Sequence, residues 1–287
     1  MKKIFVFVLA AVALLRASAQ VNVELAMDQD QFLPNESVRL AVKIINRSGQ
    51  TLHLGATPDW LTFSVESEDN AVVIKNSEVP VVEPFDLESS QMATKHVDLQ
   101  PYFAMGRPGR YKVIATLRIP EWSASMVSAP KHLEIVSGVE LWSQDFGVTL
   151  APQTPPEARK YTLIEANYLK QQLQLYLQVS TRDMARVFKV TALGSLVSFA
   201  APEAQVDRVS HLHVLWQTGA QAFSCVIVNP DGAILSRDIY DVTTARAHLA
   251  LDADGTVVVQ GGVRRPKPSD APAPALPLAP SNNVAKP

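Results

Sequence analysis

Apolar residues in this chain recur at every second position, in short runs broken by turn residues, and that period commits it to β-strands. Successive side chains on a strand point to opposite faces, so alternation lays down one apolar face per strand. Val21, Val23, Leu25 and Met27 alternate with Asn22, Glu24 and Ala26. After Pro34-Asn35-Glu36 the pattern returns as Val38, Leu40, Val42 and Ile44, until Asn46-Arg47-Ser48-Gly49 turns the chain. Further short strands fit 52–54, 61–65, 71–74, 111–119 and 133–136, and no window from 21 to 137 sustains a helical apolar period. About seven short strands in about 115 residues is the pattern of a β-sandwich.

The residues Pro34-Asn35-Glu36-Ser37-Val38, Ile45-Asn46-Arg47-Ser48-Gly49 and Pro108-Gly109-Arg110-Tyr111-Lys112-Val113 carry a family likeness. Over roughly residues 21–137 the chain resembles a bacterial immunoglobulin-like sandwich. Gly109-x-Tyr111 opening a late strand is similar to the tyrosine corner, in which the phenol hydrogen-bonds back across a sandwich edge and Val113 faces the core. The paired cysteines of antibody domains are absent. The resemblance implies a fold more than a function, because this architecture serves adhesion, spacing, inhibition and ligand binding alike.

The second half continues the strand pattern. In 161–179, Leu169, Leu173 and Leu177 are spaced by four, but Leu173, Leu175, Leu177 and Val179 also alternate with Gln172, Gln174, Tyr176 and Gln178, and the window reads as strand. Strands are expected at 187–190, 196–199, 212–216, 223–228, 233–235, 247–251 and 257–259. Asn229-Pro230-Asp231-Gly232 and Asp252-Ala253-Asp254-Gly255 place Asp-Gly between strand-like runs, a hairpin signal. The hairpins 212–235 and 247–259 loosely resemble β-propeller repeats, although two blades cannot close a ring. A compact antiparallel sandwich or meander fits this half better.

The fold class is therefore all-β: an immunoglobulin-like β-sandwich over 20–137, a second antiparallel β-domain over 138–263, and flanking segments of other character. The boundary falls at Ser137-Gly138 or in the Pro-rich stretch 151–156. At the N-terminus, Lys2-Lys3, the apolar run Ile4–Leu15 and Ala17-Ser18-Ala19 have the order of a secretory signal peptide, too short to span a bilayer. Cleavage after residue 19 leaves no stable membrane span and places the mature chain outside the cytoplasm, periplasmic or secreted. Residues 264–287 hold seven prolines and five alanines in 24 positions. A disordered Pro-rich tail, acting as spacer or docking segment, is expected there.

Composition narrows the function classes. Across 287 residues, 47% are apolar and 19% charged, with a formal charge of −2. Loss of Lys2, Lys3 and Arg16 with the leader makes the mature chain more acidic, which argues against nucleic-acid binding. A single cysteine, Cys225, forms no intramolecular disulfide, so the fold rests on its core; between Phe223 and Ile227 the thiol is expected to be buried and structural. Gly-rich phosphate loops, paired-cysteine metal spacings and Gly-x-Ser-x-Gly elbows are missing, and no cofactor is implied.

The remaining chemistry sits in scattered candidates. His211 and His213, two apart on a strand, project to one face where two imidazoles would chelate a metal ion with Asp207 as third ligand. Leu212, Val214 and Trp216 claim the opposite face as core, which otherwise makes the two histidines solvent-side residues. Asp28-x-Asp30 and Asp252-x-Asp254 invite a calcium reading but lack further oxygen ligands. Glu66, Glu68 and Asp69 read as hydrolytic acids or as a solvated strand end. Among Trp60, Trp122, Trp142 and Trp216, Trp122 alone has a loop-like setting suited to stacking on a sugar. The leading expectation is a non-enzymatic extracytoplasmic interaction or scaffold protein with a protein or cell-envelope partner. A polysaccharide-binding module built on Trp122 and a hydrolase around Asp207, His211 and His213 are the alternatives.

Overall fold

The computed structural model describes residues 21–149, 155–168, 172–197, 201–267 and 270. The expected leader, residues 1–19, and most of the expected Pro-rich tail, residues 268–269 and 271–287, lie outside the described residues.

In the first half the chain runs through β1 (Val21–Ala26), β2 (Gln31–Phe32), β3 (Arg39–Asn46), β4 (Leu52–Leu54), β5 (Leu61–Ser67), β6 (Phe85–Leu87), β7 (Met92–Asp98), β8 (Gly109–Ile119), β9 (Ala124–Val127) and β10 (Lys131–Ile135). One sheet has the order β1-β3-β7; the other has the order β2-β10-β8-β5, with β9 continuing beside β8, and β4 pairs with β6. Every pairing is antiparallel except β2 with β10, which is parallel. The alternation read from the sequence is the packing: Leu40, Val42 and Ile44 of β3 and Val113, Ala115, Leu117 and Ile119 of β8 are fully buried between the two sheets. Trp60 fills the same core, donates its indole N–H to the Val81 carbonyl, and meets Phe85 edge-on at 5.6 Å.

One expected strand did not form. Residues 71–74 are irregular: Val73 packs against the first core, while Val72 and Ile74 are 89% and 62% exposed. Conversely β7, Met-Ala-Thr-Lys-His-Val-Asp, pairs along β3 although its pattern is mostly polar.

The second half comprises β11 (Val139–Val148), β12 (Glu157–Tyr168), β13 (Gln172–Thr181), β14 (Val187–Leu196), β15 (Glu203–Val206), β16 (Leu212–Gly219), β17 (Ala222–Val228), β18 (Ile234–Asp241), β19 (His248–Leu251), β20 (Val257–Gln260) and β21 (Val263–Arg264). The window 161–179 is strand, divided between β12 and β13. Two meanders form, β11-β12-β13-β14 and β15-β16-β17-β18-β21, and β19-β20 is a separate hairpin. Tyr161, Leu163, Leu175, Leu177 and Val179 of the first meander face Leu212, Val214, Trp216, Val226 and Val228 of the second. The hairpin covers the other side of the second meander, where Leu215, Phe223 and Cys225 pack with Ala247, Leu249 and Val259. Both faces of β16 and β17 are thereby buried, so those strands read as near-continuous apolar runs.

The propeller likeness is not supported. The second meander acquires a fifth strand from β21 and the last hairpin pairs with no sheet edge, so the repeated feature is a turn and not a blade. Asp207, Asn229 and Asp252 each head such a turn: the side-chain oxygen accepts N–H groups two and four residues on, at 2.8–3.1 Å. Ser210, Gly232 and Gly255 take the left-handed position, at φ 64°, 79° and 72°. This is a type I turn closed by a bulge, the geometry that matches strand twist in a longer hairpin loop.

The halves touch through an apolar cluster. Leu33, 2% exposed, and Val136 pack with Ile164, Ala166, Tyr176, Val187, Val190 and Ala192 on the face of the first meander turned away from the second. Gly138 lies in the junction, where a Cβ would overlap Ile164 Cγ2 and stand 3.3 Å from Leu33 Cδ2.

Candidate functional site

Asp207, His211 and His213 are brought together, but around turn chemistry. Asp207 Oδ1 accepts the amides of Val209 and His211 at 3.0 and 2.8 Å, and Oδ2 lies 3.2 Å from His213 Nε2 and 3.6 Å from His211 Nδ1. Burial alone would raise the Asp207 carboxyl, but the His213 ring and the two amides outweigh it and hold it below the ordinary carboxylate range. His213 is 7% exposed and not a solvent-side residue, because the second meander is covered on both faces. Among the described residues no cluster of three His, Cys, Asp or Glu is arranged to hold a metal ion.

The other candidates are placed as follows. Trp122 sits in a single 3-10 turn, Pro120–Trp122, half-buried against the first core. Cys225 is 7% exposed, and burial, reinforced by Asp238, pushes its thiol up to about 12. Glu66 pairs with Lys112 at 2.8 Å, Glu68 engages His132 and Arg110, and Asp30 pairs with Lys131 at 2.8 Å. These acids are ion-pair partners at the β2-β10-β8-β5 sheet, and Asp30 and Glu68 line a groove of about 580 Å3 there. Asp252 is the head of its turn. Gly109, at φ 151°, opens β8, and the Tyr111 hydroxyl donates to the Arg107 carbonyl at 2.7 Å with the ring 3% exposed.

Sequence reasoning missed Arg159. Only 6% exposed, it bonds Glu157, Asp231 and the Pro230 carbonyl and stacks 4.3 Å from the Phe188 ring centroid. Burial would lower its pKa, but Asp231 and Glu157 raise it, so the guanidinium stays charged and pins the 229–232 turn to β12. The local sequence offers only Glu157, because its other acceptors, Pro230 and Asp231, lie about 70 residues away. Arg264 and Arg265, which composition assigns to the tail, bond Asp238 and Asp241 and continue the second meander.

Two features are open to a partner, although on the second the Gly147 carbonyl already accepts the Ser210 hydroxyl at 3.1 Å. One is a cleft of about 500 Å3 between the halves, with Asp28, Glu36 and Arg39 on one wall and Lys189, Thr191 and Ile234 on the other. The second is the outer edge of β11. This ten-residue strand pairs only with β12, and among the described residues no strand covers its other side. A bulge at Glu140/Trp142 is followed by an uninterrupted stretch, Trp142–Val148, without Lys, Arg or Pro. Ser143, Gln144 and Asp145 are exposed on it, and Asp145 is already held by Arg182 at 3.0 Å. Phe146 anchors the strand by stacking on Tyr161 at 4.0 Å. The opposite edge, β14, is blunted by two register shifts and Lys189.

No family model matches the chain, and no curated protein matches it. Among solved structures, the sporulation control protein Spo0M from Bacillus subtilis matches at 9% identity, covering 58% of this chain and 82% of that one, with a TM-score of 0.32. A likeness of that size carries no argument about fold or function.

Proposed function

We propose that this is an extracytoplasmic interaction protein that takes up an extended segment of a protein partner along the outer edge of β11. The observation that carries the reading is that edge. It is ten residues long, regular after its bulge and free of lysine and proline, and it is longer than the outer edges of β1 and β5, which lack them too. An incoming strand would satisfy its outward N–H and C=O groups and extend the β11-β14 sheet, the mode of recognition by strand addition. Export is supported by the sequence of the first nineteen residues.

The finer reading of the N-terminal half as immunoglobulin-like belongs to the same proposal. It is supported by β1-β3-β7 lying opposite β2-β10-β8-β5, by the parallel β2–β10 pair and by the Tyr111–Arg107 bond. Residues 20–137 and 138–263 serve as the two units, with the second presenting the edge.

The test is photo-cross-linking of the full chain in envelope extract with the reactive residue at Gln144, and at Asp254 as a distant control. One protein captured at Gln144 and not at Asp254, and lost at least tenfold when Ser143→Lys/Asp145→Lys is added to the Gln144-labelled chain with stability unchanged, is the expected result. Capture unaffected by the two lysines sinks the reading.

A further inference from the structure

The contact between the halves is presented by a short turn. Pro34 and Asn35 occupy its centre, Asn35 has φ 63°, and the Glu36 amide donates to the Leu33 carbonyl at 3.1 Å. Pro followed by a left-handed Asn is the signature of a type II turn. The Glu36 carboxyl reaches back to the amide of Leu33 at 2.8 Å and accepts from Gln29 Nε2 at 3.0 Å. One carboxyl therefore fixes the turn that pushes Leu33 into the face formed by Ile164, Ala166, Tyr176 and Val190. Glu36 itself is 7% exposed and lines the cleft whose far wall is β14 and the start of β18.

We propose that the two halves form a proton-operated clamp, in which a neutral Glu36 favours the closed contact with Leu33 seated and an ionised Glu36 favours separation. An ionised carboxylate in the closed cleft loses hydration that it regains when the far wall moves away. The Leu33 and Gln29 bonds lie within the first half and survive opening, so they do not oppose it. Burial accordingly holds the Glu36 carboxyl above its ordinary range, despite the lowering by the Leu33 amide and Gln29.

Charged groups of both signs border the cleft. Arg39 of β3 and Lys189 of β14 favour the ionised form. Asp28 and Asp98 of β7, the latter bonded to Ser37 at 2.7 Å, disfavour it. Asp231, next along the far wall, is held by Arg159. Desolvation decides the sign: the closed state binds the proton more tightly than the open one. Across the window between the two pKa values the open-to-closed ratio rises with pH, by no more than about tenfold per pH unit, since one proton is released.

The test is a distance measurement on the full chain, with spin labels at Glu24→Cys and Asp254→Cys in a Cys225→Ala background. At pH 5 a single narrow distance is expected, and at pH 8 a second, longer component. Glu36→Gln, neutral at every pH, is expected to show the narrow distance at both, and Leu33→Ala to show the longer component at both. Wild-type distributions that coincide at the two pH values overturn the clamp. A pH response that persists in Glu36→Gln removes Glu36 from it, and a Leu33→Ala chain that stays narrow removes the latch.

Discussion

Replacing Tyr111 with Phe isolates one hydrogen bond in the first half. The ring is 3% exposed and stays buried in the variant, so apolar burial is unchanged and only the bond to the Arg107 carbonyl at 2.7 Å is lost. A neutral bond of this kind contributes about 1 kcal/mol net. Arg107 is exposed, so water reaches its carbonyl and the larger penalty of a buried orphan does not apply. Burial raises the phenol above its ordinary range, so the donor keeps its proton through mildly alkaline pH. Urea titration at pH 7 should therefore show a loss of about 1 kcal/mol with the slope unchanged. The thermal midpoint carries a second reading: about 2–4 °C per kcal/mol if more than 200 residues unfold together, and about 4–8 °C if the first half unfolds alone. A variant within about 0.3 kcal/mol of wild type, or more stable, would refute the assignment of Tyr111 as a corner donor. That precision is within the reach of paired titrations.

Three further outcomes are expected. Gly138→Ala should destabilise by about 1–3 kcal/mol in denaturant titration, because its Cβ overlaps Ile164 Cγ2, and Ile164→Ala in the same chain should recover part of that cost. Asp207→Asn should cost about 1–2 kcal/mol at neutral pH. The folded carboxyl titrates below its unfolded value, so the difference from wild type should be complete above the ordinary carboxylate range and should vanish as pH falls through the folded pKa; a gap constant down to pH 2 would contradict the assignment. Cys225, with its thiol raised to about 12, should resist a thiol reagent in the native state and react only at the rate of unfolding; rapid native labelling would show it exposed.

Legibility followed locality. The strands β3 and β8 were readable because one face meets core and the other meets water, which imposes the period of two. The turns at Asn229 and Asp252 were readable from Asp-Gly, whereas the one headed by Asp207 was hidden by Ser210 in the left-handed position, and Asp207 read as a metal ligand instead. The shared pattern, Asx followed three residues later by Gly or Ser, would have found it. β7 and β11 escaped notice since their exposed faces carry polar residues, and for β7 the pairing is fixed by a distant partner, β3. The buried side of His213 was invisible for a related reason: the β19-β20 hairpin covering that face starts 35 residues later. Arg159 depends on tertiary neighbours that no single window contains; the partners of Glu36, Gln29 and Leu33, lie in one window, but its burial does not show there.

The parallel β2–β10 pair joins Phe32 to Ile135. A chain made from its N-terminus pairs β1 with β3 early, but β3 then waits about fifty residues for β7 and β2 about a hundred for β10, and until then their outer edges stay unpaired. The second half is built almost wholly from neighbours in sequence, each hairpin closing through its own turn. Loop closure over a short span is fast and over a long one slow. The order of appearance and the order of completion therefore run in opposite senses: the half that emerges first is the half that finishes late, and a chaperone that shields β-edges would act on it before any partner does.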